Sequence, residues 1–338
     1  ILGLEKNSVK INYKYTYGPG TPFPLDEKPM TDNYIMNIVL QRQSKPSKVE
    51  VSYCQGDAFF KNSGKYKIGY TMLEVTGLPK EWVNQANMMN EVWVPSEFNK
   101  MTFIQSGVKV PIYTMPLGID ENYFNPHIKP FKKSGKYTFL SVFEWSERKA
   151  PEILFNAYSK AFSKKDNVML ICKIANVNSD VNVYEEIEKM NLPEKMADFE
   201  LLYNVYLQDY DMARLYRTAD CFVLPTRGEG WGMPITEAMS CGLPVIATDW
   251  SAHKDYMDNS NAYPINVKRL IPAEAKCPYY KGFQWAEPDE EHLIYLMRHV
   301  FTQQDESARK GLKAHNEIAA KYTWDHTAKR VIDRIKNI

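Results

Sequence analysis

Two glutamates flank a glycine-rich stretch in the second half of the chain. The sequence Glu-Gly-Trp-Gly-Met-Pro-Ile-Thr-Glu places Glu229 and Glu237 eight positions apart. Because glycine has no Cβ, Gly230 and Gly232 allow positive φ angles and a close approach by a ligand. Pro234 suits the first turn of a helix, and the N–H groups of a helix N-terminus bind phosphate. Since carboxylates accept hydrogen bonds from pairs of hydroxyls, the stretch predicts a site for a nucleotide sugar.

The elements around this stretch are predicted to be two strands and a helix. Apolar runs at 220–225 and 243–248 are typical of buried strands, and 234–241 is predicted as a helix that ends at Gly242. Strand, loop, helix and strand form a βαβ unit, and ligands in such sheets lie outside the carboxyl ends of the strands. The alternative is a flexible loop whose glutamates are solvated, since glycine-rich loops alone are weak signals.

Residues 208–257 resemble the donor-binding core of retaining glycosyltransferases. The motifs that carry the resemblance are Ala219-Asp220, Glu229-Gly-Trp-Gly, Glu237-Ala-Met, Cys241-Gly-Leu-Pro-Val-Ile and Asp249. More narrowly, they are similar to the family-four enzymes of the GT-B fold, whose signature is Glu, seven residues, Glu. The resemblance implies that Glu229 contacts the donor sugar and that Glu237 binds the ribose. It also implies donor contacts by Gly230, Trp231, Gly232, Met233 and Pro234.

A basic loop follows the predicted strand 137–143. The resemblance implies that a lysine and an arginine in this loop neutralise the donor diphosphate. Lys149 matches the family lysine, but Glu144 stands where the family arginine is usual. We therefore expect Arg148 to replace that arginine, because a guanidinium binds phosphate in a bidentate manner. The alternative is an exposed Arg-Lys pair at a helix start.

Three further candidates come from strand ends and turns. Many relatives carry a histidine in the first domain, but the earliest of the six histidines here is His127. Glu74, after the predicted strand 66–72, is therefore the candidate catalytic carboxylate of that domain. If Glu74 is only a loop residue, the leaving phosphate itself must take the acceptor's proton. Lys173 and Gly118 are assigned to the donor site, although a plain turn explains Gly118 equally well.

The sequence predicts no metal centre. Asp209 and Asp211 resemble the metal-binding carboxylate pair of the other glycosyltransferase fold, but so loose a pattern arises by chance and both residues suit a helix cap. The histidines lack the spacing of zinc ligands. Because cationic side chains and helix amides can hold a diphosphate, we expect no cofactor, with a UDP- or GDP-sugar as the donor substrate.

Composition excludes several other classes of protein. The net charge of +1 argues against nucleic acid as a partner, and no apolar run approaches the ~18 residues of a membrane span. Five scattered cysteines are typical of reduced thiols rather than of a disulfide framework. These features predict a cytoplasmic protein, while peripheral association with a membrane surface and the oligomeric state stay open.

Strands that alternate with helices predict an α/β protein with two Rossmann-like domains facing a cleft. In the first domain, strands are expected at 9–15, 34–40, 49–53 and 66–72, with a proline-rich loop at 17–29. The predicted divisions are an N-terminal acceptor-side domain at 1–117, a linker at 118–136, a nucleotide-sugar-binding domain at 137–322, and a helix at 323–338 considered to pack back on the first domain. Because GT-B relatives begin with a strand and a glycine-rich loop, the N-terminal domain is expected to be incomplete at its start.

The predicted function is transfer of a sugar from a nucleoside-diphosphate donor to a hydroxyl acceptor, with retention at the anomeric carbon and without a metal. The acceptor is a glycan, a lipid-linked sugar or a small molecule. Two alternatives remain at this level. One is a non-catalytic protein that binds sugar nucleotides, favoured by Glu144 and the histidine-free first domain; the other is a GT-B phosphorylase or epimerase.

Overall fold

The structure, a computed structural model, divides the chain into two units. It describes residues 1–13, 34–42, 47–176, 178–273 and 277–338. Unit 1 comprises residues 1–118 and 322–338, and unit 2 comprises residues 119–321. Each unit has its own parallel sheet, so the predicted α/β class is confirmed. From Ile119 onward, the segment predicted as a linker lies in unit 2.

Unit 1 contains a four-stranded parallel sheet in the order β1-β2-β3-β4. Side chains of β3 are buried along its whole length, as in strands of a sheet covered on both faces. Ser96 caps the helix after β3, where its side chain accepts a hydrogen bond from the Asn99 amide. The strands are β1 Val49–Tyr53, β2 Tyr66–Tyr70, β3 Glu91–Val94 and β4 Ile112–Thr114; the helices are α1 Leu2–Lys6, α2 Tyr34–Gln41, α3 Lys80–Ala86 and α4 Glu97–Gln105.

Two strand predictions in unit 1 are wrong. The segment predicted as a strand at 34–40 is helix α2, and the described part of 9–15 contains no strand. For the first of these segments, the periodicity of a short apolar run does not by itself distinguish a strand from a helix. The Arg42 guanidinium, which follows α2, donates to a Glu5 carboxylate oxygen at 2.9 Å and to the Ile11 carbonyl at 2.9 Å. These contacts connect the end of α2 to α1 and to the segment after it. The predicted proline-rich loop at 17–29 lies outside the described residues.

Unit 2 contains a six-stranded parallel sheet in the order β10-β9-β8-β5-β6-β7. Numbered from the first strand of the unit, this is the 3-2-1-4-5-6 order of dinucleotide-binding folds. Its strands are β5 Tyr137–Glu144, β6 Val168–Ala175, β7 Asp198–Tyr203, β8 Cys221–Leu224, β9 Val245–Thr248 and β10 Tyr263–Ile265; its helices are α5 Pro151–Ala161, α6 Val183–Lys189, α7 Asp209–Thr218, α8 Met233–Ser240, α9 Glu290–Thr302 and α10 Gln304–Lys321.

A two-stranded antiparallel hairpin follows β10, and the sequence did not predict it. Its strands are β11 Val267–Pro272 and β12 Gln284–Pro288. Trp285 of β12 is fully buried and anchors the hairpin to unit 2. Among the helices that the structure describes, none has the length and apolar character needed to span a bilayer.

The last helix of the chain, α11 Trp324–Ile335, belongs to unit 1. Val331 of this helix packs in one cluster with Ile68 and Trp93 of the four-stranded sheet. The Arg334 guanidinium binds the buried carboxylate of Glu91, with its Nε 3.1 Å from Oε2. Helix α11 is therefore part of the core of unit 1.

Candidate functional site

The candidate site lies where the strand order of unit 2 reverses, between β5 and β8. These two strands are adjacent, with Phe139 opposite Cys221. Their connections to α5 and α8 leave the sheet in opposite directions, and the resulting crevice is the usual ligand site of such sheets. The loops that border it are 145–150 after β5 and 225–232 after β8. Strand order thus brings the basic loop and the glycine loop together.

Glu229 is buried between two cations at this point. It is only 6% exposed and accepts a hydrogen bond from the ammonium of Lys149, which is 7% exposed. Arg148 lies on the same carboxylate, with 3.0 Å between its Nη1 and Oε1 of Glu229. Thr226 donates its hydroxyl to the same oxygen at 3.0 Å. The structure therefore brings together three residues that the sequence singled out, although Lys149 and Glu229 are 80 positions apart in the chain.

The charges of these residues fix the protonation of Glu229. Burial alone would raise the pKa of the Glu229 carboxyl, but Arg148 and Lys149 more than offset burial and hold its pKa at about 2. The carboxylate is therefore ionised throughout the neutral range. Two cations around one anion leave an excess positive charge, which favours an anionic ligand.

A cavity of about 260 Å³ opens beside this cluster. Three cationic side chains contribute to its walls, and Glu144 contributes one carboxylate. Its lining consists of Val142, Phe143, Glu144, Arg148, Lys149, Lys173, Ala175 and Pro234. The excess of cations over carboxylates on these walls suits the cavity to a diphosphate.

Glu237 and Lys173 form the second charged group of the site. Glu237 projects from α8 and accepts a hydrogen bond from the Tyr216 hydroxyl at 2.8 Å. Burial raises the pKa of Glu237 to about 7, against the opposing effects of the Tyr216 hydrogen bond and of Lys173. Burial also lowers the pKa of Lys173, and Glu237 partly offsets this. Glu237 thus titrates in the physiological range.

The glycine loop enters α8 through a constrained backbone. Gly232 is the N-cap residue with φ of 94°, in the left-handed region, and no side chain caps the helix. A Cβ at this position would lie 2.7 Å from the Tyr256 hydroxyl oxygen. Trp231, which precedes it, is 1% exposed and its carbonyl accepts from the same hydroxyl at 2.6 Å. Gly230, Met233 and Pro234 complete the path into the helix. Geometry and space both require glycine at 232.

The segment after β9 supports this loop, and sequence reasoning missed it. Ser251 accepts a hydrogen bond from the Glu229 amide at 3.0 Å. His253 is fully buried and donates from Nδ1 to the Thr248 carbonyl at 2.7 Å, while its Nε2 has no hydrogen-bond partner among the described residues. Burial lowers the pKa of His253, so the ring is neutral. The only signal in the sequence was the position of this segment at a strand end.

Two candidates from the sequence lie in unit 1 instead. Glu74 follows β2 and is half-buried. Gly118 lies against the first turn of α11, and a Cβ there would come closer than 3.0 Å to the backbone of Trp324. This close approach is sufficient reason for the glycine. Within the described parts of the chain, no group of three or more His, Cys, Asp or Glu side chains could hold a metal ion.

Comparison with known proteins identifies the domain that carries the site. Residues 135–275 match the model of the family described as glycosyl transferases group 1. The mannosylfructose-phosphate synthase of Agrobacterium fabrum is 26% identical over 151 residues, which cover 40% of this chain and 32% of that protein. A probable sucrose-phosphate synthase of Thermosipho melanesiensis is 22% identical over 242 residues, covering 70% of this chain and 50% of that protein. The chain spans about a third to a half of these relatives.

Solved structures with the same fold are numerous. The crystal structure of Anabaena HepE in complex with UDP and glucose matches with a TM-score of 0.63 and 14% identity, covering 80% of this chain and 71% of that chain. A sucrose-phosphate synthase from Thermosynechococcus elongatus matches with a TM-score of 0.61 and 13% identity, covering 86% and 67%. Identities this low establish the fold alone. Residues 135–275 thus match the glycosyl transferases group 1 family, and the chain has the α/β fold of GT-B glycosyltransferases.

Proposed function

We propose that this chain transfers a sugar from a nucleoside-diphosphate donor to a hydroxyl acceptor, with retention of anomeric configuration and without a metal ion. The observation that carries the proposal is the buried Lys149–Glu229–Arg148 cluster beside a cationic cavity at the switch point of the sheet. A cavity of this size accommodates a diphosphate, and the carboxylates beside it suit hydroxyls.

In this proposal the cations bind the diphosphate and stabilise the negative charge that it gains as the leaving group. Arg148 and Lys149 contact the phosphates, and negative charge grows on the phosphate as the bond to the anomeric carbon breaks. Cations fixed where charge develops are the kind of electrostatic stabilisation that contributes most to many enzymes. Lys173 extends the positive wall toward Glu237, which binds the ribose hydroxyls.

Glu229 acts in this scheme as an ionised acceptor for sugar hydroxyls. With a pKa of about 2 it holds no proton to donate at neutral pH. The acceptor oxygen bonds to the anomeric carbon on the same face from which the phosphate leaves. The leaving phosphate takes the proton of the acceptor hydroxyl. Glu74 of unit 1 is the alternative proton acceptor. Retention of configuration follows from attack on the same face.

The donor is proposed to be a UDP- or GDP-sugar, acting in the cytoplasm. Similar solved structures are complexes with UDP and glucose and with UDP and GlcNAc, which supports a uridine nucleotide. All five cysteines are free thiols, three of them buried, which supports a reducing compartment. Glycans, lipid-linked sugars and small molecules are all retained as acceptors, and association with a membrane surface belongs to the same proposal.

The first experiment measures binding by calorimetry, using UDP, GDP, ADP and dTDP with and without magnesium. Saturable binding of one diphosphate without metal is the expected result, followed by release of nucleoside diphosphate from UDP-glucose or GDP-mannose. Lys149→Met should weaken diphosphate binding by about tenfold or more, because a buried charge-assisted contact is lost. Lys160→Met, which removes an ion pair at the surface between Lys160 of α5 and Glu290 of α9, is the matched control. Equal binding in Lys149→Met and wild type would refute the site.

A non-catalytic binding protein is the second candidate. Glu144 lies on the cavity wall, at the position where the family resemblance implies an arginine, and it favours this candidate because a carboxylate repels the diphosphate. Tight nucleotide binding without turnover of any donor would support this candidate. A gain of turnover in Glu144→Arg would then locate the deficit at this position.

A further inference from the structure

Arg227 connects the parts of the candidate site. It lies between β8 and Gly228 and is only 6% exposed. Its guanidinium donates from Nη1 to the Glu147 carbonyl at 2.5 Å, from Nη2 to the Glu152 carboxylate at 2.6 Å, and from Nε to the Glu287 carboxylate at 3.0 Å. One side chain therefore holds the basic loop, the first turn of α5 and strand β12.

The backbone around Arg227 strengthens the same connection. The Arg227 amide donates to the Arg148 carbonyl at 2.7 Å, and the Thr226 hydroxyl oxygen lies 3.1 Å from that carbonyl oxygen. On the other side, the Arg227 carbonyl accepts from the Ala286 amide of β12 at 3.0 Å. The basic loop is thus fastened to the glycine loop by main chain and side chain together.

We propose that Arg227 is a positioning residue for the transfer reaction, and that the hairpin β11–β12 supports it through Glu287. Arg227 holds the Arg148–Lys149 segment at a fixed distance from Glu229, so that both cations meet the leaving diphosphate. This inference rests on the proposed function. It adds a residue that contacts neither donor nor acceptor and a hairpin outside the six-stranded sheet.

The chemistry of arginine suits this role. Its planar fork presents donors in fixed directions and can satisfy a carbonyl and two carboxylates at once, whereas a lysine ammonium is a single point charge. The carboxylates of Glu152 and Glu287 raise the pKa of Arg227 despite its burial. Their side chains are 41% and 25% exposed, so both remain hydrated if the guanidinium is removed. Loss of Arg227 therefore chiefly frees the loop.

The first test uses hydrogen exchange on the full chain. In Arg227→Met, the amides of 147–150 and of Arg227 are expected to exchange about tenfold faster or more, because local opening of the loop becomes easier. Arg298→Met is the matched control, since it removes an ion pair with Asp166 in the same unit and no contact to either loop. Unchanged exchange at 147–150 in Arg227→Met would overturn the proposal.

The second test separates positioning from folding through kinetics. The rate of nucleoside diphosphate release from UDP-glucose and GDP-mannose is measured. It is divided by the concentration of binding-competent protein, which is determined by titration with UDP or GDP. In Arg227→Met, kcat should fall by about 100-fold with KM changed by less than about threefold, because an ångström of misplacement costs rate more than binding. Arg227→Lys should recover little of this loss. A kcat per site within about twofold of wild type refutes the role.

Milder variants keep the test decisive if Arg227→Met does not fold. Glu287→Gln and Glu152→Gln each weaken one contact at a partly exposed carboxylate and should lower kcat by about three- to tenfold. Wild-type kcat and unchanged exchange in both variants contradict the proposal. If the wild type turns over neither donor, the proposed function fails, while exchange at 147–150 still reports on Arg227.

Discussion

At the scale of single residues, the unusual feature is how charge is buried. Glu229 and Lys149 are each less than a tenth exposed, and Arg148 contacts the same carboxylate. Buried ion pairs seldom stabilise a fold more than apolar residues of equal volume would, but removing one partner is costly. A cluster of this kind therefore indicates a site kept for ligand chemistry.

The acid stability of the protein should report on Glu229. Its pKa is about 2 in the folded chain, against an ordinary value of 4.5, so its contribution to the free energy of unfolding is complete above pH 4.5 and is lost as pH falls toward 2. We expect Glu229→Gln to lower the free energy of unfolding at pH 7 by about 3 kcal/mol, and by much less near pH 2. Urea unfolding across this pH range measures the difference, and a gap independent of pH would contradict the pKa assignment.

Glu237 should make donor binding depend on pH. Its pKa of about 7 leaves the carboxyl largely protonated at pH 6 and ionised at pH 8. Because the ionised form accepts two ribose hydroxyls, affinity should rise by about tenfold over this interval. Calorimetry with UDP-glucose and GDP-mannose tests this without the titration of a terminal phosphate. Glu237→Gln should bind more weakly and lose the pH dependence; a dependence that survives would have another source.

At the scale of helices, strands and loops, the glycine loop sets the geometry of the site. Gly232 turns the chain from the loop into α8 with φ of 94°. The adjoining segment after β9 closes one side of this turn, with the Tyr256 hydroxyl bound to the carbonyl before it. The turn is therefore fixed by both backbone conformation and packing.

Gly232→Ala should destabilise the protein and impair donor binding. The left-handed backbone costs an alanine about 1–2 kcal/mol, and the clash with Tyr256 adds to it. Gly282→Ala is the matched control, because its φ is 87° and a Cβ there meets nothing within 4 Å. Urea unfolding should show the larger loss for Gly232→Ala. Equal losses would mean that backbone strain alone acts at 232.

Sequence patterns predicted the elements of unit 2 better than those of unit 1. Apolar runs at 137–143, 220–225 and 243–248 predicted β5, β8 and β9, because buried parallel strands have a continuous apolar signal, whereas the three-residue strand β10 was not predicted. The run at 34–40 is also largely apolar but forms α2, because periodicity alone does not distinguish a short buried strand from a helix. The contacts of Arg227 with Glu152 and Glu287 could not be predicted, because these partners lie 75 and 60 positions away in the sequence. A single sequence does not show which charged residues pair with one another.

At the scale of the whole molecule, α11 couples the end of the chain to the sheet of unit 1. Its Arg334 neutralises Glu91, which is fully buried on β3 and also accepts from the Tyr66 hydroxyl at 2.9 Å. Val331 fills the same core. The integrity of unit 1 thus depends on residues that follow unit 2.

Arg334→Met should weaken unit 1 and leave unit 2 intact. A buried carboxylate without its cation costs about 3–5 kcal/mol. Hydrogen exchange should therefore accelerate in β2 and β3 but not in β5 and β8. Binding of UDP and GDP at the candidate site of unit 2 should persist in the full-length variant, as measured by calorimetry. Faster exchange in β5 and β8 would show that the two units do not unfold independently.

The return of α11 to unit 1 also sets an order of assembly during synthesis. All of unit 2, residues 119–321, leaves the ribosome before α11 does. The core of unit 1 is therefore incomplete until translation reaches the last helix. Until then, the part of its sheet that Val331 covers is exposed. Unit 2 can therefore complete its fold first, while unit 1 still lacks its last helix.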